Sequence, residues 1–265
     1  MPAPPEERTA LARIRASHPF DLRPLLAVWE TTLACDHACA HCRDGSQTGG
    51  HDNELTTAEG LTLIAQVASM GTPQMVLAGG DPAKRADLEV LVAAGASAGM
   101  KMAVACAATP LMSNDRLASL ALAGVTTIAI SLDGPDAALH DARRYAGSFA
   151  HTLRIVGEAR ALGLELQIET TIGPHNYPAI EAIAQRAHAI GAAHWAVHVS
   201  VPRGREREDL AQEGDLLEHV LHHVAEIGER GYFEVRVTHA PHFRRIMMLR
   251  RSPEVAAGIL RDVDG

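Results

Sequence analysis

The chain has 265 residues, which suits one large α/β domain and is short for two. Its net charge of −8 argues against a general nucleic-acid binder, because such proteins are normally basic. No apolar run reaches the roughly 18 residues that a transmembrane helix needs, and residues 1–8 lack the pattern of a secretory signal. We therefore expect a cytoplasmic protein with neither a nucleic-acid partner nor a membrane partner.

Short apolar segments alternate along the chain with stretches rich in Ala and Leu. The apolar segments predict strands, and the longer stretches predict helices, several of which end just before a glycine. Thr56 and Glu59 have the spacing of a helix capping box. The predicted strands cover 25–32, 75–79, 101–106, 126–132, 165–171, 194–201 and, more weakly, 234–238. The predicted helices cover 56–70, 86–98, 114–123, 149–162, 177–190 and 209–230.

Strands that alternate with helices and are almost continuously apolar are typical of parallel βα units buried on both faces. The sequence therefore predicts an α/β fold of about six such units. A doubly wound open sheet and a partial barrel both fit this pattern. Both architectures place their functional sites at the carboxyl ends of the strands.

Three of the four cysteines follow the first predicted strand within eight positions. Cys35, Cys39 and Cys42 have the spacing C-x3-C-x2-C, so all three thiols can face one point from a single loop. Iron–sulfur clusters usually take four cysteine ligands. A cluster bound by three thiols keeps one iron open to a ligand that is not protein, and we favour such a [4Fe–4S] cluster.

Other interpretations of this loop remain. His37 and His41 lie within it and would complete a zinc site with the cysteines. Cys39 and Cys42 alone form a C-x-x-C pair typical of a redox dithiol, which leaves Cys35 without a role. Structural thiols without chemistry are a further alternative, although they rarely bunch on a polar loop. The fourth cysteine, Cys106, ends the third predicted strand, and we interpret it as a buried strand residue.

These residues resemble the radical S-adenosylmethionine (radical SAM) superfamily. The cysteine spacing is similar to its signature, and the sequence Gly-Gly-Asp at 79–81 is similar to its Gly-Gly-Glu/Asp motif. The sequence Ser-Leu-Asp-Gly at 131–134 resembles the SPASM-type branch, which modifies peptides or acts in heme pathways. Further likeness to this branch lies at His140, Asp141, Arg144, 147–149, Trp195 and 201–205.

The resemblance implies a partial (β/α)6 TIM-like barrel of parallel strands with outer helices. It places a radical SAM core at 25–245, a peripheral segment at 1–24 and a tail at 246–265. The tail would be the start of a cysteine-rich extension that is missing here, so we expect one cluster.

The chemistry that the resemblance implies begins at the open iron, which S-adenosylmethionine would chelate through its amine and carboxylate. An electron from a low-potential donor such as flavodoxin or ferredoxin would then split the sulfonium into methionine and a 5′-deoxyadenosyl radical. This radical would abstract hydrogen from a peptide or tetrapyrrole substrate.

The residues that would contact S-adenosylmethionine lie at successive strand ends. In the family, the segment equivalent to Gly79 and Gly80 meets the methionine amine, and Asp81 would add an acceptor. Alternatively, Asp81 only opens the next helix. Ser131 and Asp133 are two residues apart, so we expect both to point the same way, toward the ribose or the methionine carboxylate; a helix-capping Asp133 is the alternative.

Two further strands supply candidates. Gln167, Glu169 and Thr171 share one face of the fifth strand, and a polar face there is costly unless something pairs with it. Glu169 would bind the cofactor ribose or the substrate, and Ser200 and Val201 would border the adenine. The rival hypothesis for the whole chain is a non-catalytic iron–sulfur or zinc protein that acts as an assembly or interaction partner.

Overall fold

The structure is a computed structural model that describes Pro19, residues 22–42, Gly45, residues 47–206, Leu210 and residues 214–251. Most of the predicted N-terminal segment 1–24 lies outside these residues. The last helix, Phe243–Arg251, crosses the predicted boundary between core and tail at 245 and 246. Both boundaries therefore stay predictions. No helix within the described ranges is long and apolar enough to cross a membrane.

Seven parallel strands form one sheet, and each strand pairs with the next one along the chain. This order has no reversal, which excludes the doubly wound sheet, because that fold reverses its strand order at a switch point. The sheet curls into a half-barrel, so the prediction of a partial TIM-like barrel is confirmed. The strands are β1 (Ala27–Glu30), β2 (Gln74–Ala78), β3 (Lys101–Cys106), β4 (Val125–Ser131), β5 (Glu165–Ile172), β6 (His194–Val199) and β7 (Glu234–Thr238).

The six predicted helices are present with bounds that differ by a few residues, and two further helices, Ala137–Arg143 and Phe243–Arg251, were not predicted. Thr56 caps the first of them, and its capping box with Glu59 is confirmed. Pro178 lies in a 3-10 turn, Tyr177–Ala179, that precedes the helix predicted to begin at 177. The helices are α1 (Thr57–Ser69), α2 (Leu88–Ser97), α3 (Asn114–Ala123), α4 (Ala137–Arg143), α5 (Ser148–Ala161), α6 (Ile180–Ala189), α7 (Gly214–Glu229) and α8 (Phe243–Arg251).

The two faces of the sheet differ in side-chain size and polarity. Large apolar side chains such as Leu77, Ile128 and Trp195 are fully buried in the hydrophobic core. The concave face carries alanines on β3, at Ala103 and Ala105, and polar side chains on β5 and β7. Small side chains leave space inside the curl, so the half-barrel contains a cavity where closed barrels have a packed interior.

Candidate active site

A cavity of about 530 Å³ lies along the concave face, and residues of all seven strands line it. Cys35, Cys39 and Cys42 line the same cavity, at the carboxyl ends of the strands. Cys35 is buried, and the other two are half-buried. The loop predicted to gather three thiols therefore does bring them to one space. We call residues 35–42 the cysteine loop.

The first half of the cysteine loop is held by hydrogen bonds close to β1 and β2. The backbone N–H of Cys35 donates to the carbonyl of Gln47 at 2.8 Å, and the N–H of His37 donates to Sγ of Cys35 at 3.4 Å. Burial, against the hydrogen bond from the His37 N–H and with smaller contributions from Asp81, Cys39 and Cys42, raises the pKa of Cys35 to about 11. An added positive charge such as iron would oppose this shift, because it stabilises the thiolate.

The three thiols are not arranged for a single metal ion. No group of three or more His, Cys, Asp or Glu side chains in the described ranges converges closely enough to hold one. Three thiols are the ligand type that iron–sulfur clusters take in proteins.

Gly79 and Gly80 follow β2 and line the cavity next to the cysteine loop. The N–H of Gly80 donates to the carbonyl of Thr32 at 2.7 Å. A Cβ atom on Gly79 would lie 2.3 Å from that carbonyl oxygen, and one on Gly80 would lie 2.5 Å from the carbonyl oxygen of Ala34. Both glycines are thus needed for this close backbone approach, which leaves bare peptide groups facing the cavity.

Asp81 is fully buried, and its carboxylate is bonded to protein groups. It accepts hydrogen bonds from the hydroxyl of Thr109 at 2.7 Å and from the N–H of Ala83 at 3.1 Å. Burial raises its pKa, although the Thr109 hydroxyl opposes that effect. Asp81 does not line the cavity. The structure places it as the cap of the 3-10 turn Pro82–Lys84, which was the alternative for this residue.

Ser131 and Asp133 were expected to face the same ligand, and of the two Ser131 lines the cavity. Ser131 is the last residue of β4 and lines the cavity, whereas Asp133 lies beyond the strand and is fully buried behind the lining. The alternation of a strand does not extend past its end, which is the reason for the difference. Asp133 caps no helix; it accepts hydrogen bonds from Arg144 at 2.6 Å and from the N–H of Thr171 at 2.8 Å.

His41 connects the cysteine loop to this buried carboxylate. Its Nε2 atom lies 3.3 Å from Oδ2 of Asp133, and burial lowers the pKa of His41 to about 4. Its Nδ1 atom is buried and has no hydrogen-bond partner among the described residues. His41 itself lines the cavity.

The polar face predicted on β5 is present. Gln167, Glu169 and Thr171 all line the cavity, and the amide of Gln167 donates to Glu169 at 3.1 Å. Glu169 is in register with Ser131 on β4, so these two candidates lie side by side. Ser200 and Val201 after β6 line the same cavity. The structure therefore brings six of the eight predicted cofactor contacts to one space.

Sequence reasoning missed the polar residues of β6 and β7 in the cavity wall. His198, Arg236 and Thr238 line the cavity, and Oγ1 of Thr238 lies 2.6 Å from Nδ1 of His198. Arg236 and Thr238 could have been predicted, because the alternating sequence Glu-Val-Arg-Val-Thr of β7 places them on the same face of the strand. Arg144 was noted only for its resemblance, and no pattern indicated that it lines the cavity.

A parallel half-barrel with three thiols at its mouth is the arrangement expected of a radical SAM protein. The family model of the radical SAM superfamily matches residues 29–187, and the chain belongs to that superfamily. It is 34% identical to the AdoMet-dependent heme synthase of Oleidesulfovibrio alaskensis over 86% of this chain and 60% of that protein. It is 30% identical to the PqqA peptide cyclase of Ruegeria pomeroyi over 64% of this chain and 45% of that protein.

The fold is similar to that of SuiB from Streptococcus suis, solved with bound S-adenosylmethionine. The TM-score is 0.68 at 16% identity, and the match covers 88% of this chain and 54% of SuiB. At that identity the likeness shows the fold alone. The chain spans less than two thirds of the length of the heme synthases that it matches.

Proposed function

We propose that this chain is the catalytic core of a radical SAM enzyme, with a [4Fe–4S] cluster bound by Cys35, Cys39 and Cys42. The observation that carries the proposal is the arrangement of three thiols, two close-approach glycines and a polar strand face around one cavity. Such a cluster, with S-adenosylmethionine on its open iron, supplies a 5′-deoxyadenosyl radical when a low-potential donor reduces it.

The residues of the chain hold and orient this cofactor. The backbone at Gly79 and Gly80 has no side chains over it and lies close to the cysteine loop. It is therefore placed to accept a hydrogen bond from the methionine amine. Ser131 and Glu169 offer a hydroxyl and a carboxylate side by side for the ribose. Ser200 and Val201 border the adenine from the β6 side. Asp81 and Asp133 act as positioning residues behind the lining.

The remaining space in the cavity is the seat of the substrate. The substrate that we propose first is a tetrapyrrole, because the likeness to the heme synthase covers more of this chain than the likeness to the peptide cyclase. A peptide is the second candidate, favoured by the fold shared with SuiB, a protein also solved bound to its precursor peptide. In either case a substrate C–H bond facing the cofactor would lose its hydrogen to the radical.

The test of the proposal is anaerobic. The purified chain is reconstituted with iron and sulfide, reduced with dithionite and given S-adenosylmethionine, and 5′-deoxyadenosine is measured by mass spectrometry. We expect about four irons per chain and formation of 5′-deoxyadenosine. Four irons without 5′-deoxyadenosine would favour the non-catalytic iron–sulfur protein. Zinc without iron would contradict both.

A second measurement separates the two roles open to Glu169. Binding of S-adenosylmethionine to the reconstituted protein is measured by equilibrium dialysis for wild type and Glu169→Gln. Loss of a charge-assisted hydrogen bond to the ribose would weaken binding roughly ten- to hundredfold. Unchanged binding would assign Glu169 to the substrate.

A further inference from the structure

The residues that follow β6 reach back to the cysteine loop at the opposite side of the barrel mouth. The backbone N–H of Arg205 donates to the carbonyl of Cys42 at 2.9 Å, and its Nε donates to the carbonyl of Cys39 at 3.0 Å. Arg205 and Cys39 are 166 positions apart in the chain. We call residues 200–206 the strap.

The end of the strap is fixed by a buried ion pair. Oε2 of Glu206 accepts a hydrogen bond from Nη2 of Arg143 at 2.7 Å, and the Glu206 side chain is only 3% exposed. The carbonyl of Arg143 accepts a hydrogen bond from the N–H of Ala40 at 2.9 Å. The strap, the end of α4 and the cysteine loop therefore each contact the other two.

The two halves of the cysteine loop are thus held by different parts of the chain. Cys35 is bonded to Gln47, close to it in sequence, whereas Cys39 and Cys42 accept hydrogen bonds from the strap. A loop whose ends are fixed only locally loses conformational entropy when it binds a ligand. A strap that already fixes two of the three thiol-bearing residues reduces that loss.

We propose that Arg205 is a positioning residue that preorganises Cys39 and Cys42 for the cluster and slows its release. This inference rests on the proposed function, because it assumes that these thiols bind iron. Of these two bonds, the side-chain bond to Cys39 is open to substitution, since the bond to Cys42 comes from the backbone. Arg205 acts through the loop backbone and takes no part in the reaction.

Three variants isolate the role of this side chain. Arg205→Ala removes the bond to Cys39, and Arg205→Lys keeps the charge but not the Nε–H donor. Arg203→Ala is the matched control: it removes one positive charge from an exposed side chain of the same strap. Thermal unfolding checks that all three variants fold as the wild type does.

The first measurement is hydrogen–deuterium exchange of the protein without iron. We expect the amides of Ala40 and Cys42 to exchange roughly tenfold faster or more in Arg205→Ala, with a smaller change in Arg205→Lys and none in Arg203→Ala. Equal exchange in wild type and Arg205→Ala would overturn the inference, whatever the cofactor.

The second measurement is the rate at which an iron chelator removes iron from the reconstituted proteins. We expect release from Arg205→Ala to be about tenfold faster than from wild type and Arg203→Ala. If Arg205→Ala released iron at the wild-type rate, this inference would be overturned and the proposed function would stand. Failure of the wild type to take up iron would overturn the proposed function and, with it, the role in cluster retention.

Discussion

Nε of Arg144 donates a 2.6 Å hydrogen bond to Oδ2 of Asp133, and the two side chains are only 14% and 0% exposed. Asp133 also accepts from the backbone of Thr171 and contacts His41 of the cysteine loop. One carboxylate therefore links the segment after β4, strand β5 and the cysteine loop. Burial alone would raise the pKa of Asp133, but Arg144, His41 and His140 together hold it well below its usual range.

The first prediction concerns this ion pair. Asp133→Asn keeps an acceptor for the N–H of Thr171 but leaves Arg144 buried without a negative partner. We expect the free energy of unfolding to fall by about 3–5 kcal/mol, as is usual when one partner of a buried pair is removed. Urea unfolding of the iron-free protein measures it.

An exposed ion pair provides the control for Asp133→Asn. Glu218 pairs with Arg245 at 2.6 Å, and their side chains are 34% and 51% exposed. Glu218→Gln should change the free energy of unfolding by less than about 1 kcal/mol, because solvent screens such pairs. Equal effects of the two substitutions would show that the Asp133 pair is not effectively buried.

A second prediction concerns the pH dependence of stability. His140 is fully buried, and its Nδ1 accepts a hydrogen bond from the N–H of Asp133 at 3.1 Å. Burial, assisted by Arg144, lowers the pKa of His140 to about 4 from a usual value of 6.5. Between these values the unfolded chain binds a proton that the folded chain does not, so His140 makes the protein less stable as the pH falls from 6.5 to 4.

His140→Asn tests this dependence, because the Asn carbonyl replaces the acceptor and does not titrate. Urea unfolding is measured at several pH values from 7.5 to 4.5. We expect the stability difference between wild type and variant to shift in favour of the variant by roughly 1–3 kcal/mol toward the acid end. Parallel curves would mean that folding does not lower the pKa of His140.

Much of the fold was predictable because the local signals agree with one another. Strand β3 and helix α3 have the predicted bounds, since Lys101 and Asn114 mark clear changes of pattern. Helix α4 was missed because it has only seven residues, too few for a helical period to emerge. Its start at the Asp136 cap was the one local signal.

The candidate site was predictable where chemistry depends on residue type and spacing. Three cysteines in one loop and two glycines at a strand end carry that information in the sequence. The partners of Asp133 were not predictable, because Arg144 and Thr171 come from other segments and meet it only through the fold. The contact between Arg205 and Cys39 was not predictable for the same reason, because the two residues are 166 positions apart.

A third prediction tests the close approach at β2. A Cβ atom on Gly80 would lie 2.5 Å from the carbonyl oxygen of Ala34 and 2.7 Å from that of Leu33. Gly80→Ala should therefore displace the start of the cysteine loop, lower the free energy of unfolding by about 1–3 kcal/mol and reduce iron uptake. Urea unfolding and iron analysis measure the two effects.

Gly157 is the matched control for Gly80. It lies inside α5, and beyond its chain neighbours and the backbone of its own helix a Cβ atom there would have no described atom within 4 Å. Gly157→Ala should raise the free energy of unfolding by about 0.5–1 kcal/mol, because alanine favours a helix over glycine. Normal iron uptake by Gly80→Ala would show that the loop tolerates the added methyl group.

The fourth prediction concerns which cysteines bind iron. Cys106 ends β3, is 5% exposed and belongs to the hydrophobic core, with its Sγ 3.8 Å from the carbonyl of Ala129. Burial raises its pKa far above the usual range, and although Cys106 lines the cavity it lies outside the cysteine loop. We expect Cys106→Ala to keep about four irons per chain and to lose only about 1–2 kcal/mol of stability. Cys39→Ala should lose most of its iron under the same reconstitution. Iron loss in Cys106→Ala that matches Cys39→Ala, with an unchanged melting temperature, would show that the ligand set includes Cys106.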